Sequence, residues 1–212
     1  MSFYEREKEL LQLIDKRDEI SINELLSMQY TSKSTLRRDL VKLEEKGLVI
    51  RTHGGVRAVK HTLNDNIPFF LRENEQSSEK KIIAQKAAEL ISDGDVIMLD
   101  ATTSAYCIIP YLTEFKDLTV ITSGAKASFA LGELGIKNIC TGGEMVYKSF
   151  SYVGMDALHT IGSYNADIAF FSCRGLSEEG YLTDKSIEEN AIRKEMIKRS
   201  KKKIFLCNSN KI

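Results

Sequence analysis

The sequence has no excess charge of either sign: 30 Lys and Arg balance 30 Asp and Glu across 212 residues, for a formal net charge of zero. A chain-wide basic field that would draw in nucleic acid or anionic lipid is therefore excluded, and any such attraction has to be local. Cysteine is sparse. Cys107, Cys140, Cys173 and Cys207 are far apart with no Cys-x-x-Cys pair, and no secretory leader precedes Glu5-Arg6-Glu7-Lys8, so reduced thiols in a cytoplasmic protein are expected. No apolar run approaches the roughly 20 residues that cross a bilayer, which argues against a membrane protein. The three histidines, His53, His61 and His159, stand apart with no paired Cys or carboxylate at ligand spacing, so no metal site is expected. Repeats and low-complexity tracts are missing as well. What remains is an ordinary globular composition, 42% hydrophobic and 28% charged, sufficient for one large domain or two smaller ones.

The hydrophobic period changes near Lys60, which predicts a boundary there. Residues 1–60 read as short helices followed by a hairpin. Leu10, Leu11, Leu13 and Ile14 form an apolar stripe over about 4–16. Ser21 stands three residues before Glu24, the spacing of a capping box, and Ser32 can cap a third helix that runs through Leu36, Leu40 and Leu43 until Gly47. Two extended stretches, 48–51 and 56–59, flank Thr52-His53-Gly54-Gly55, where the glycines are expected to supply the positive φ of a tight turn. From residue 78 onward, strand-length apolar runs (95–99, 118–122, 137–140, 168–171, 204–206) alternate with helical stretches (79–91, 105–112, 125–134, 186–200). That order predicts a mostly parallel sheet wrapped by helices. Residues 61–77, with Pro68 beside Phe69, Phe70 and Leu71, read as a linker carrying an apolar anchor.

Helix, helix, turn, helix and hairpin is the layout of a winged helix-turn-helix, whose third helix can enter a major groove. At 100° per residue, Leu36, Leu40 and Leu43 share one side of that helix. The other side and its flanks carry Lys33, Ser34, Thr35, Arg37, Arg38 and Lys42, residue types that bind phosphates and base edges; Arg51, His53 and Arg57 extend the surface onto the wing. Residues 31–60 hold eight basic side chains against three acids, whereas residues 1–30 hold four against seven, so positive charge is concentrated on the third helix and wing.

In the second half, Asp100-Ala101-Thr102-Thr103-Ser104, Ser123-Gly124 and Gly142-Gly143-Glu144 each follow a strand. Such loops leave the sheet edge where open α/β folds bind ligands, and hydroxyls with backbone N–H groups near helix starts suit an anion. Lys211, after the last strand, can add a cation. Arg174 either faces this rim or pairs with Asp184 or Glu188; the sequence does not choose. Cys140, Cys173 and Cys207 end apolar strands and read as core residues, and the basic run 198–203 reads as the solvated end of a helix.

Thr31-Ser32-Lys33-Ser34-Thr35-Leu36-Arg37-Arg38-Asp39-Leu40, then Leu43-Glu44-Glu45-Lys46-Gly47-Leu48 and Arg51-Thr52-His53-Gly54-Gly55, closely resembles the DNA-binding half of DeoR-family bacterial transcription regulators. Leu99-Asp100-Ala101-Thr102-Thr103, Ser151-x-Val153-Gly154, Ser172-Cys173-Arg174-Gly175, Gly180-x-Leu182-Thr183-Asp184, Glu188-Glu189 and Arg193-Lys194 are similar to the sensor half of that family. The resemblance implies a sugar-phosphate-binding fold related to ribose-5-phosphate isomerase and CoA transferases. It further implies a homo-oligomeric repressor, a dimer or tetramer, that binds double-stranded operator DNA and answers to a phosphorylated sugar, without enzymatic activity or a cofactor. Asn208-Ser209-Asn210-Lys211 departs from the family's usual Asp-Ser-Ser-Lys, and the chain stops where relatives continue, so truncation after Ile212 is expected. The competing readings are an isomerase or acyl transferase with Asp100, Glu144 or Asp184 as acid or base, and an interaction module using the winged helix as a docking surface.

Overall fold

The computed structural model describes residues 3–15, 17, 19–28, 32–45, 48–59, 69–74 and 77–211. The chain divides into two compact units, Met1–Asn74 and Glu75–Ile212.

The first unit contains α1 (Phe3–Asp15), β1 (Ile20–Ser21), α2 (Ile22–Met28), α3 (Lys33–Glu45), β2 (Val49–Arg51), β3 (Gly55–Ala58) and α4 (Phe69–Asn74). Leu10, Leu11 and Ile14 of α1 meet Leu25 of α2, Leu36, Leu40 and Leu43 of α3, and Val49 and Val56 of the hairpin in one buried cluster. The expected capping box is formed: Glu24 N–H donates to Ser21 Oγ at 3.2 Å and Ser21 N–H to Glu24 Oε2 at 3.0 Å. Both bonds hold the Glu24 carboxyl below its usual range, with Arg17 adding its charge at 3.1 Å. Strand β1, not anticipated from sequence, joins the hairpin in the order β1-β3-β2, all antiparallel.

Two expectations for this unit need correction. Neither Gly54 nor Gly55 has positive φ. Gly55 is required by close approach instead, because a Cβ there would lie 2.6 Å from the Ile20 carbonyl oxygen on β1. Part of the expected linker is also helical: α4 lies against α1, with Phe69 buried. Gly47 as a helix stop and the linker residues 61–68, Pro68 included, and 75–76 lie outside the described residues.

The second unit contains α5 (Ser77–Ala88), β4 (Val96–Leu99), α6 (Thr103–Tyr106), β5 (Thr119–Thr122), α7 (Ala125–Glu133), β6 (Asn138–Cys140), β7 (Glu144–Val146), β8 (Ser151–Val153), α8 (Met155–Gly162), β9 (Ala166–Phe171), β10 (Gly175–Leu176), β11 (Leu182–Thr183), α9 (Ile187–Lys198) and β12 (Ser200–Phe205). Five strands form a parallel sheet in the order β12-β9-β4-β5-β6. Period-2 alternation divides the core. Ile97 and Leu99 of β4 with Ile168 and Phe170 of β9 pack with α5, α6 and α7, whereas Met98, Ala169 and Phe171 pack with α8 and α9. The result is a parallel sheet between two helical layers, so every strand ends at the same edge and all five following loops gather there.

The helix expected over 105–112 is instead α6 followed by a 3₁₀ helix, Ile109–Glu114. Pro110 has no N–H and cannot continue an α-helix begun at Thr103. The basic run is corrected as well: α9 ends at Lys198, and Lys201, Lys202 and Lys203 lie exposed on β12, an outer strand. Charged side chains on an outer strand oppose pairing with another chain. The hairpins β7–β8 and β10–β11 and helix α8 were not anticipated.

Candidate functional site

On α3, Ser32 Oγ accepts from Thr35 N–H at 3.3 Å and lies 2.9 Å from both Ser34 Oγ and Thr35 Oγ1, so the first turn is tied by hydroxyls. Leu36, Asp39, Leu40 and Leu43 are buried; Lys33, Ser34, Arg37, Arg38 and Lys42 are exposed, and Thr35 is half-buried. The leucine stripe therefore turns the cationic face outward, and Arg38 Nε reaches back to the Ser34 carbonyl at 3.4 Å.

Asp39 is the residue that sequence reasoning missed here. Its carboxylate takes Arg6 Nε at 2.7 Å and Arg6 Nη2 at 3.3 Å, which clamps α1 to α3 and raises the guanidinium's pKa. The signal was present, since Asp39 lies three residues after Leu36 and four before Leu43, on the apolar stripe. On the wing, His53 and Arg57 are exposed. Arg51 is exposed too but engaged: its N–H donates to Glu44 Oε1 at 3.2 Å and its Nη1 lies 3.5 Å from Glu44 Oε2.

At the sheet edge of the second unit the loop after β4 is organised by Asp100. Oδ1 accepts from Thr102 N–H at 3.0 Å and Thr102 Oγ1 at 2.5 Å; Oδ2 accepts from Ser172 N–H at 3.0 Å and Arg193 Nε at 3.3 Å. Thr102 Oγ1 then caps Ala105 N–H at 3.3 Å, and Thr103 and Ser104 are buried beside it. The loop after β5 touches this one: a Cβ on Gly124 would stand 3.2 Å from Ala101 Cα. Ser123 is buried and its carbonyl accepts from Tyr152 N–H at 2.7 Å, while Ala125 N–H donates to the Phe150 carbonyl at 2.8 Å. The β7–β8 hairpin is thereby stitched across the start of α7 and takes one of the N–H groups expected to be open to an anion.

After β6, Gly142 and Gly143 have φ of 66° and 102°, and a Cβ on Gly143 would collide with the Val153 carbonyl. Glu144 is exposed on β7. Lys211 Nζ donates to Ser172 Oγ, whose own backbone N–H binds Asp100, so the last cation lies one residue from the Asp100 cluster. Arg174 is half-buried at the same edge, and its N–H donates to the Thr183 carbonyl at 3.0 Å.

Asp184, one of the acids left open to Arg174 by the sequence, is met by Arg193, whose Nη2 lies 2.8 Å from Asp184 Oδ2. Both Asp100 and Asp184 are thus engaged by one guanidinium, a poor arrangement for a general acid or base. Burial pushes the Cys173 thiol up, with the Lys211 charge opposing, so Cys173 is a weak nucleophile. Among the described residues no group of three His, Cys, Asp or Glu side chains could hold a metal ion, and no helix is long and apolar enough to cross a membrane.

These two assemblies have counterparts among known proteins. The DeoR-like helix-turn-helix domain matches residues 6–62, and the DeoR C terminal sensor domain matches residues 75–212. The HTH-type transcriptional regulator GolR of Listeria innocua is 34% identical over 215 residues, covering 99% of this chain and 82% of its own. The lactose phosphotransferase system repressor of Staphylococcus epidermidis is 30% identical over 215 residues, covering 100% of this chain and 85% of its own. A solved structure, ribose 5-phosphate isomerase A of Methanocaldococcus jannaschii, aligns with a TM-score of 0.49 and 17% identity over 65% of this chain and 55% of that one. With both halves matched in order and relatives aligned along nearly the full length, the chain belongs to the DeoR family of HTH-type transcriptional regulators.

Proposed function

We propose that this regulator represses a carbohydrate-utilisation operon, and that a phosphorylated sugar held at the sensor rim releases it from its operator. The observation that carries the first half is the outward face of α3, where Lys33, Arg37, Arg38 and Lys42 stand exposed opposite a buried leucine stripe. Arg37 and Arg38 have the bidentate geometry that reads guanine, while Lys33, Lys42, Arg57 and His53 suit phosphates; Ser34 and Thr35 contribute hydroxyls at the helix start. Arg51 contributes once it turns from Glu44. The protein acts in the cytoplasm as a homo-oligomer, and the name of one relative, a lactose phosphotransferase system repressor, supports the carbohydrate reading.

At the rim, Lys211 and Arg174 supply positive charge and Gly142, open at its Cβ position, lets backbone approach a ligand closely, while Gly143 and Gly124 keep the rim loops packed against Val153 and Ala101. Asp100 and Ser123 shape the loops; an anionic sugar phosphate has no reason to contact a carboxylate whose acceptor positions are filled. Thr102, Thr103 and Ser104 present the backbone of the loop, and Glu144 suits sugar hydroxyls. Control of operator affinity needs a coupling of about 1–3 kcal/mol between the two sites.

Fluorescence anisotropy on the protein's own promoter DNA tests the first half: Arg38→Ala should weaken binding by roughly 1–3 kcal/mol, and unchanged affinity with an unchanged salt slope would overturn the assignment. A screen of pentose and hexose phosphates tests the second. Stabilisation with operator release and no turnover is expected; turnover would make the sensor half an enzyme.

A further inference from the structure

Arg193 is buried in the middle of α9, and its three guanidinium nitrogens bind three separate places. Nε lies 3.3 Å from Asp100 Oδ2, Nη2 lies 2.8 Å from Asp184 Oδ2, and Nη1 lies 2.7 Å from Asn190 Oδ1. Burial alone would favour loss of its proton, but the charges of Asp100, Asp184 and Glu189 outweigh that and hold the pKa above its ordinary value. The cation is therefore permanent, and each partner is fixed by it.

The two carboxylates belong to segments of different character. Asp100 opens the loop after β4, and every acceptor position on it is used. Asp184 ends the β10–β11 hairpin, whose strands are two residues each and whose Tyr181 and Leu182 are exposed. The hydrogen bonds of that hairpin are largely its own: Ser177 N–H to the Tyr181 carbonyl, Thr183 Oγ1 to the Gly175 carbonyl and Arg174 N–H to the Thr183 carbonyl. Such a segment has little core to hold it, and the Asp184 side chain ties its far end to α9. The Asp184 carboxylate also serves two sides at once, with Oδ1 taking Lys185 N–H at 2.7 Å while Oδ2 takes Arg193.

We propose that Arg193 is a positioning residue for the effector rim: by binding Asp100 and Asp184 together, it fixes the loop after β4 and the β10–β11 hairpin in the relative placement that holds a phosphorylated sugar. The proposal rests on the sugar-phosphate reading above. It adds that specificity depends on a residue that does not touch the sugar.

Asp184→Asn is the gentler test, because it leaves Arg193 with Asp100 and Asn190 and offers one acceptor where two are needed. Arg193→Lys is the second variant, since an ammonium cannot span three partners. The full chain is bound to promoter DNA and titrated with ribose 5-phosphate, glucose 6-phosphate and fructose 6-phosphate. For whichever of these releases the wild type, the half-release concentration should rise at least about tenfold in Asp184→Asn. Operator affinity without sugar should stay within about twofold, and Asp184→Glu should restore most of the response. An unchanged half-release concentration in both variants overturns the positioning role and leaves the sugar-phosphate reading standing. If none of the three sugars stabilises or releases the wild type, that reading fails instead. Hydrogen exchange at the Arg174, Ser177 and Gly180 amides then decides for Arg193 alone: faster exchange in Asp184→Asn supports it, and unchanged exchange overturns it.

Discussion

Among the described residues each unit buries one aspartate, and the two are used differently. Asp39 and Asp100 are 3% and 2% exposed. Asp39 is met by Arg6, and the pair joins two helices that a leucine cluster already holds together. Asp100 is met by two backbone N–H groups, a hydroxyl and a guanidinium drawn from three segments of chain. In the helix-turn-helix unit buried charge refines packing, and the cations of α3 face water. In the sensor unit the charge is inside, and the loops exist in their observed form because of it.

Breaking the buried pair in the sensor should have the largest effect. Asp100→Asn keeps the shape but turns an NH₂ toward one of the donors and leaves Arg193 short of a counter-charge. Losses of about 3–5 kcal/mol are usual when one member of a buried ion pair is removed. Chemical denaturation followed by a sensor-unit probe should show a loss of that order; under about 1 kcal/mol would mean that the loop does not depend on its carboxylate. The comparison sharpens with Asp39→Asn, for which less than half that loss is expected. An equal loss in the two variants would erase the distinction between the units.

How much of this was legible follows from the distance over which each interaction acts. The Ser21–Glu24 capping box, the Leu36-Leu40-Leu43 stripe and the exposed Arg37 and Arg38 are set within one or two helical turns, so residue spacing carries them. The unbroken apolar run through Ile97, Met98 and Leu99 placed β4 in the sheet, and the parallel arrangement followed from strands alternating with helices. Arg193 and Asp100 are 93 positions apart, and no local pattern announces their bond. By spacing alone Asp184 was one of two acids open to Arg174, and nothing local pointed to Arg193, which the fold brings to Asp184 from α9. The first half of β12 was hidden because Lys201, Lys202 and Lys203 mask its alternation, so that only 204–206 read as strand, and the Gly54-Gly55 pair suggested positive φ when the real constraint was the Ile20 carbonyl on a strand too short to predict.

The smallest expected effect concerns acid. Asp167 in the sensor is held below the usual carboxylate range, first by Lys201 Nζ at 2.8 Å and then by Val96 N–H at 3.0 Å. Glu24 in the first unit is lowered by its capping bonds to Ser21. A carboxylate whose folded pKa is depressed contributes stability that is complete above its unfolded pKa and lost as pH falls through the folded value, so both contributions disappear below about pH 4. The Asp167–Lys201 pair is largely exposed, which keeps its share small and sensitive to salt. Melting temperatures measured from pH 5 down to pH 3 should fall less steeply for Asp167→Asn than for the wild type in the sensor transition. Glu24→Gln should do the same in the winged-helix transition. A variant that flattens both transitions together would show that the two units unfold as one, and the contrast between their buried aspartates would then have to be drawn within a single cooperative structure.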